Sequence, residues 1–263
     1  MPSYLQLGII VFIYGLCIGS FLNVCIFRIP ESMSLIRPPS TCPRCKAKIK
    51  SYDNIPVLSY ILLGGKCRTC RIPISIRYPL IELFTGIMWY LTYARFGISI
   101  DFFIYIAFIS VLIVITFIDI DLQIIPDIIS LPGIPLFFIL ALFLPNQSLM
   151  DAALKSLFGV LAGGGSLLVI ALSYKFITKK DGMGLGDVKL LAMIGALIGF
   201  KGVLFTIFAS SALGTVIGLC VMIVTRNNMK LAIPFGPFLS AGAVIYLFFG
   251  EAITYWYFNL YVI

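Results

Sequence analysis

Three aspartates crowd into the stretch Phe117-Ile118-Asp119-Ile120-Asp121-Leu122-Gln123-Ile124-Ile125-Pro126-Asp127. A fourth, Asp187, follows the glycine-rich run Asp181-Gly182-Met183-Gly184-Leu185-Gly186. These acids border long apolar segments, where an ionisable group is costly and marks a functional site by default. Two carboxyl groups held close cannot both ionise cheaply, so they share one proton. The ionised member then activates water while the protonated member polarises a carbonyl. We expect Asp187 to meet one of the three clustered acids in this way. The chemistry needs neither metal nor a hydroxyl nucleophile, and the chain contains no histidine, which excludes histidine-based triads.

Helix direction assigns roles within the pair. Asp119 closes its apolar segment, where the negative end of the helix dipole favours the protonated acid, and Asp187 opens its own, where the positive end favours the carboxylate. On that basis Asp187 is the base and Asp119 the proton donor. Each acid also has a structural reading: Asp127, after Pro126, as a helix-start group, Asp121 as a solvated loop residue, and Asp187 as a cap.

A second group of reactive side chains is Cys42-Pro43-Arg44-Cys45 and Cys67-Arg68-Thr69-Cys70, two CxxC knuckles 21 residues apart. Four thiolates on two short turns can close a tetrahedron around zinc, and the metal then folds a loop too small for its own core. With all four positions filled by protein, such a Zn2+ is structural. Structural disulfides are the alternative, disfavoured if the loop faces a reducing cytoplasm; a redox CxxC is another reading, though paired knuckles in a Lys- and Arg-rich loop fit a zinc ribbon better. Cys17, Cys25 and Cys220 lie in apolar segments and read as small buried hydrophobes.

The elements that carry these groups must be membrane helices. Of 263 residues, 60% are hydrophobic and 11% charged, with a mean hydropathy of +1.07, far outside the range of soluble domains. The first apolar run has no Lys or Arg before it and so reads as a retained span rather than a secretory signal peptide. Runs of about 20 apolar residues can cross a bilayer. Eight candidates occur, at 4–27, 78–95, 102–119, 128–145, 152–175, 187–200, 202–224 and 236–258.

Between the first two lie ten basic residues (Arg28, Arg37, Arg44, Lys46, Lys48, Lys50, Lys66, Arg68, Arg71 and Arg77) against Glu31 and Asp53, which places that loop in the cytoplasm by the positive-inside rule. Alternation then puts fifteen of the nineteen basic residues inside, both termini outside, and Asp119, Asp121, Asp127 and Asp187 at the cytoplasmic boundary. Without a basic helix or aromatic ladder, the net charge of +8 reports orientation and not nucleic-acid binding.

The sixth run is short, about 21 Å as a helix against a hydrocarbon layer of about 30 Å, so its glycine-rich approach is expected to dip below the headgroups. The GxxxG pairs Gly195/Gly199 and Gly214/Gly218, with Gly163-Gly164-Gly165, read as close helix packing. Pro132, Pro135 and Ile233-Pro234-Phe235-Gly236-Pro237 read as helix starts or kinks. The expected fold is an all-α polytopic membrane protein with about eight transmembrane helices and a cytoplasmic zinc-ribbon-like loop.

In chain order, Gly15-Leu16-Cys17-Ile18-Gly19-Ser20-Phe21-Leu22-Asn23-Val24 with Arg28 and Pro30, both cysteine knuckles, Arg77-Tyr78-Pro79-Leu80-Ile81-Glu82, the aspartate stretch ending in Pro126-Asp127, Gly182 to Asp187, and Ile233 to Pro237 resemble the bacterial type IV prepilin leader peptidases, membrane aspartic proteases of the GxGD class. The resemblance selects Asp119, eight residues before Asp127, over Asp121, and matches the second catalytic acid to Asp187. It implies an inner-membrane, multi-pass enzyme, with membrane lipids around it, that removes the short basic leader of type IV pilin-like precursors at the cytoplasmic face. It also implies methylation of the new amino terminus from S-adenosylmethionine, with Asn23 and Glu82 matching family positions. The division implied is an amino-terminal region at 1–100, carrying the cysteine module at about 28–77, and a peptidase region at 101–263. A proton-coupled transporter using the same carboxylates and a non-catalytic secretion scaffold are the alternative readings.

Overall fold

The computed structural model describes residues 4–145, 147–179, 184–225 and 233–259. Among them are eight α-helices, one 3-10 turn and no strand. The chain divides into two compact units, one ending at Val114 and the other beginning at Ile115.

In the first unit, α1 (Tyr4–Arg28) packs along α3 (Arg77–Phe96). Their contact uses small residues, because a Cβ on Gly15 would lie 2.8 Å from the Gly86 Cα, and one on Gly19 would lie 2.7 Å from the Glu82 Cα. Removing either side chain brings the two backbones together, which is how helices gain contact where lipid offers no hydrophobic drive. Pro79 falls in the first turn of α3, where no intrahelical N–H is lost. At the far end Val11, Tyr93, Phe102 and Ile106 form a buried cluster.

The loop between these helices contains a 3-10 turn (Ser51–Asn54) and the short α2 (Leu58–Leu62). It is tied to α1 by Arg28, a buried guanidinium that donates to the Ser34 carbonyl at 2.8 Å and the Pro38 carbonyl at 2.7 Å. The fourth helix, α4 (Ile100–Leu122), spans the division between the units.

The second unit is built on α7 (Leu185–Thr225), against which α5 (Asp127–Ala141), α6 (Leu149–Thr178) and α8 (Gly236–Asn259) pack. Its first half is the core: Leu190, Leu191, Met193, Ile194 and Ala196 are all enclosed. Gly159 and Gly195 touch backbone to backbone, as do Gly163 and Leu191, so these glycines serve close packing of α6 on α7, whereas a Cβ on Gly165 would meet nothing within 4 Å and one on Gly214 or Gly218 would meet side chains only at ordinary contact distance. Ser148 caps α6 by accepting from the Asp151 N–H at 3.1 Å. Pro132 and Pro135 lie inside α5.

Among the described residues four helices, Tyr4–Arg28, Ile100–Leu122, Leu149–Thr178 and Leu185–Val224, are long and apolar enough to cross a membrane; Asp127–Ala141 and Gly236–Gly250 are shorter apolar helices. Apolar side chains such as Phe176, Phe208 and Ile223 point outward, as a lipid solvent requires. The chain is thus an all-helical membrane protein. The sixth and seventh expected spans are the two helical stretches of α7, which meet at Gly199; its φ of 74° and ψ of −178° fall in a region open to glycine and strained for other residues. Of the cysteines expected to be buried, Cys25 is, whereas Cys17 and Cys220 are exposed on their helices; a thiol is apolar enough for a surface that faces lipid.

Candidate active site and metal centre

Asp119 lies in the last turn of α4 and is 5% exposed. Its Oδ2 accepts a hydrogen bond from the Gly236 N–H at the start of α8, at 2.9 Å. The contact needs glycine, since a Cβ there would stand 2.6 Å from the same oxygen. Behind Asp119 the chain closes α4 with Gln123 at φ 55°, its N–H donating to the Asp119 carbonyl at 2.9 Å. Pro126 then starts α5.

Asp187 lies in the first turn of α7, its N–H donating to the Gly184 carbonyl at 3.2 Å. The residue that brings the two acids together is Ile125. A Cβ on Gly186 would sit 2.9 Å from the Ile125 Cβ, and a Cβ on Gly236 would sit 3.4 Å from the Ile125 Cδ1. One isoleucine therefore wedges between the glycine preceding Asp187 and the glycine bonded to Asp119. The two carboxyl groups lie within electrostatic reach of each other. Asp181, Gly182 and Met183, the beginning of the glycine-rich approach, lie outside the described residues.

The other two acids take different positions. Asp121 is exposed in the last turn of α4. Asp127 sits in the first turn of α5 and pairs with Lys189 of α7 at 2.7 Å. That pair was not anticipated. The available signal was a lysine inside an apolar run, two residues beyond Asp187, which requires an anion or an outlet to water.

In the loop, Cys42, Cys45, Cys67 and Cys70 present sulfurs all within 4.8 Å of one another. A tetrahedral zinc with Zn–S bonds of about 2.3 Å requires S···S separations of about 3.8 Å, and Cys42 and Cys70 stand 3.8 Å apart. The N–H groups of Cys45 and Arg44 hold the Cys42 thiol down at about 6, and those of Cys70 and Thr69 lower Cys67. The Ala47 N–H acts in the same sense on Cys45, yet burial and the sulfurs of Cys42, Cys70 and Cys67 push that thiol up to about 11. Four sulfurs this close carry full negative charge only around a cation, so the donor set fits a zinc ion. Arg68, inside the second knuckle, grips Asp53 through two nitrogens at 2.6 to 3.1 Å. It lies over Tyr52, 5.5 Å from the ring centre.

Asn23 and Glu82, each 8% exposed, belong to facing helices of the first unit. The Asn23 side chain donates to the Tyr78 carbonyl at 3.1 Å. Glu82 accepts from the Val57 N–H at 2.7 Å and from the Ser20 hydroxyl. Val57 holds φ 60°, an unfavourable state for a β-branched residue. Among the described residues no cation pairs with Glu82, so a positively charged ligand group would balance this buried carboxyl.

Residues 13–96 match the Bacterial Peptidase A24 N-terminal domain, and residues 106–219 match the Type IV leader peptidase family. The chain is similar to the prepilin leader peptidase/N-methyltransferase of Pseudomonas putida, with 34% identity over 263 aligned residues covering 92% of this chain and 90% of that protein. The protein of the same name from Neisseria gonorrhoeae is 39% identical, with coverages of 89% and 87%. That from Aeromonas salmonicida strain A449 is 35% identical, with coverages of 94% and 92%. No solved structure matches the chain significantly. With both halves matched in order and relatives aligned over nearly their full lengths, the chain belongs to the Type IV leader peptidase family.

Proposed function

We propose that this protein removes the leader of type IV pilin-like precursors with Asp119 and Asp187 and then methylates the exposed amino terminus. The observation that carries the first activity is the convergence of the two acids around Ile125, one bonded to Gly236 and the other adjoining Gly186. Water attacks the scissile carbonyl carbon and gives its proton to the ionised acid, while the protonated acid donates to the carbonyl oxygen, producing a neutral gem-diol. As the C–N bond breaks, the proton taken from water passes to the leaving nitrogen, and a diol hydroxyl returns a proton to the other acid. The pair ends as it began. Lys189 neutralises Asp127 nearby.

For methylation, Asn23 and Glu82 would hold S-adenosylmethionine, the buried carboxylate matching its positive charge; the cofactor supplies the methyl group. The names of the relatives support both activities, and no observation favours the transporter or scaffold readings. We further read eight membrane crossings, with α7 contributing two through its break at Gly199. Both termini face outward, in the bacterial inner membrane, and the four cysteines hold a structural zinc ion on the cytoplasmic side. Residues 1–100 are read as the methyltransferase region and 101–263 as the peptidase region. Incubating purified protein with a pilin precursor tests the core of this: loss of cleavage in both Asp119→Ala and Asp187→Ala is expected, and cleavage surviving either change removes the pair.

A further inference from the structure

The sequence shows only the helix to which each acid belongs, and on that basis Asp187 is the base. The structure adds a third helix. At the start of α8, the Phe238 and Leu239 N–H groups are taken by the Phe235 carbonyl, and Pro237 has none. The Gly236 N–H is therefore the donor aimed at a carboxylate, and it meets Asp119 in an enclosed contact at 2.9 Å. Among the described residues, no group hydrogen-bonds to the Asp187 carboxylate. A direct bond from an N–H to a charged oxygen outweighs the dipole of a helix end several-fold.

We propose that the main-chain N–H of Gly236 fixes Asp119 as the ionised member of the pair. Asp119 then takes the proton from the attacking water, and Asp187 holds the proton delivered to the carbonyl oxygen. Gly236 is a positioning residue that acts through Asp119. Among the described residues, the remaining charges near Asp119 are held elsewhere or exposed. Lys189 of α7 is committed to Asp127 of α5, Asp121 is exposed, and the first turn of α8 carries no ionisable side chain. The proposal rests on the reading of Asp119 and Asp187 as a catalytic pair, and its test is separate from that reading.

The test is infrared titration of the protonated-carboxyl band in full-length Asp119→Asn and Asp187→Asn proteins, each with the spectrum of the double Asn variant subtracted. Asp119, alone in Asp187→Asn, is expected to lose its band at a pH about one unit or more below that of Asp187, alone in Asp119→Asn. Equal midpoints, or the reverse order, overturn the proposal whatever the cleavage activity. If either Asn variant fails to fold, carbodiimide modification of the wild-type protein decides, because carbodiimides add to protonated acids. Modification of Asp187 first is expected, and modification of Asp119 first overturns the assignment.

Discussion

Gly186→Ala isolates the joint on which the active-site geometry depends. The new Cβ would stand 2.9 Å from the Ile125 Cβ, where ordinary contacts lie at 3.4–4 Å. Neither partner is the free end of a flexible side chain, so the start of α7 must retreat by about half an ångström to one ångström, carrying Asp187 away from Asp119. A misplacement of about 1 Å costs on the order of a hundredfold in rate, and overpacking of this kind costs about 1–3 kcal/mol of stability. Single-turnover cleavage of a pilin-like precursor should therefore slow by roughly tenfold to a hundredfold in a protein that remains folded. Gly184→Ala is the comparison. Among the described residues its Cβ would meet nothing nearer than 3.9 Å, so a change of no more than about threefold is expected. Equal losses at the two glycines, or a larger one at Gly184, would refute the wedge of Ile125 as the organising contact.

Three other outcomes follow. Lys189→Met breaks the 2.7 Å pair with Asp127; as both partners reach solvent, thermal unfolding should report a loss of no more than about 1 kcal/mol. Cleavage should nevertheless drop severalfold and be partly restored by exchanging the two charges, and unchanged cleavage would deny the pair any part in the site. Stripping metal with a chelator, or changing Cys67→Ser, should remove about one bound zinc per chain and open the segment between Arg28 and Arg77 to proteolysis while α5 to α8 stay protected; an uncut loop without metal would show that zinc does not fold it. Glu82→Ala removes the hydrogen bond from Val57 and the proposed partner of the methyl donor. Methyl transfer should fall about tenfold or more, with cleavage reduced less, and an equal fall in both would make Glu82 a scaffold residue only.

Much of the helical architecture was legible because apolar runs in lipid leave few alternatives. The ends of α1, α3 and α4 fall close to the boundaries expected from composition. The cysteine knuckles were equally readable, since a fixed spacing of four thiols is a local signal, and the sulfurs do converge. Local sequence also pointed to Asp187 and the three clustered acids, at the ends of apolar segments, and the resemblance selected Asp119 among the three. What joins them was not legible. The bond from Gly236 spans 117 residues, and the Lys189–Asp127 pair spans 62; neither leaves a periodic trace. Gly199 read as a packing glycine, and only its backbone angles show that it is the break between two helical stretches. In the loop, α2 and the 3-10 turn are too short for any period to announce them.

The central claim, that Asp119 and Asp187 act as one acid–base pair, is tested most directly by single-turnover cleavage in purified wild type, Asp119→Asn, Asp187→Asn and the double variant. Residues that act as a unit are strongly non-additive, so each single change should cost on the order of 10³-fold or more and the double change little beyond that. A single variant that retains cleavage within about tenfold of wild type, or losses that multiply in the double variant, would contradict the account.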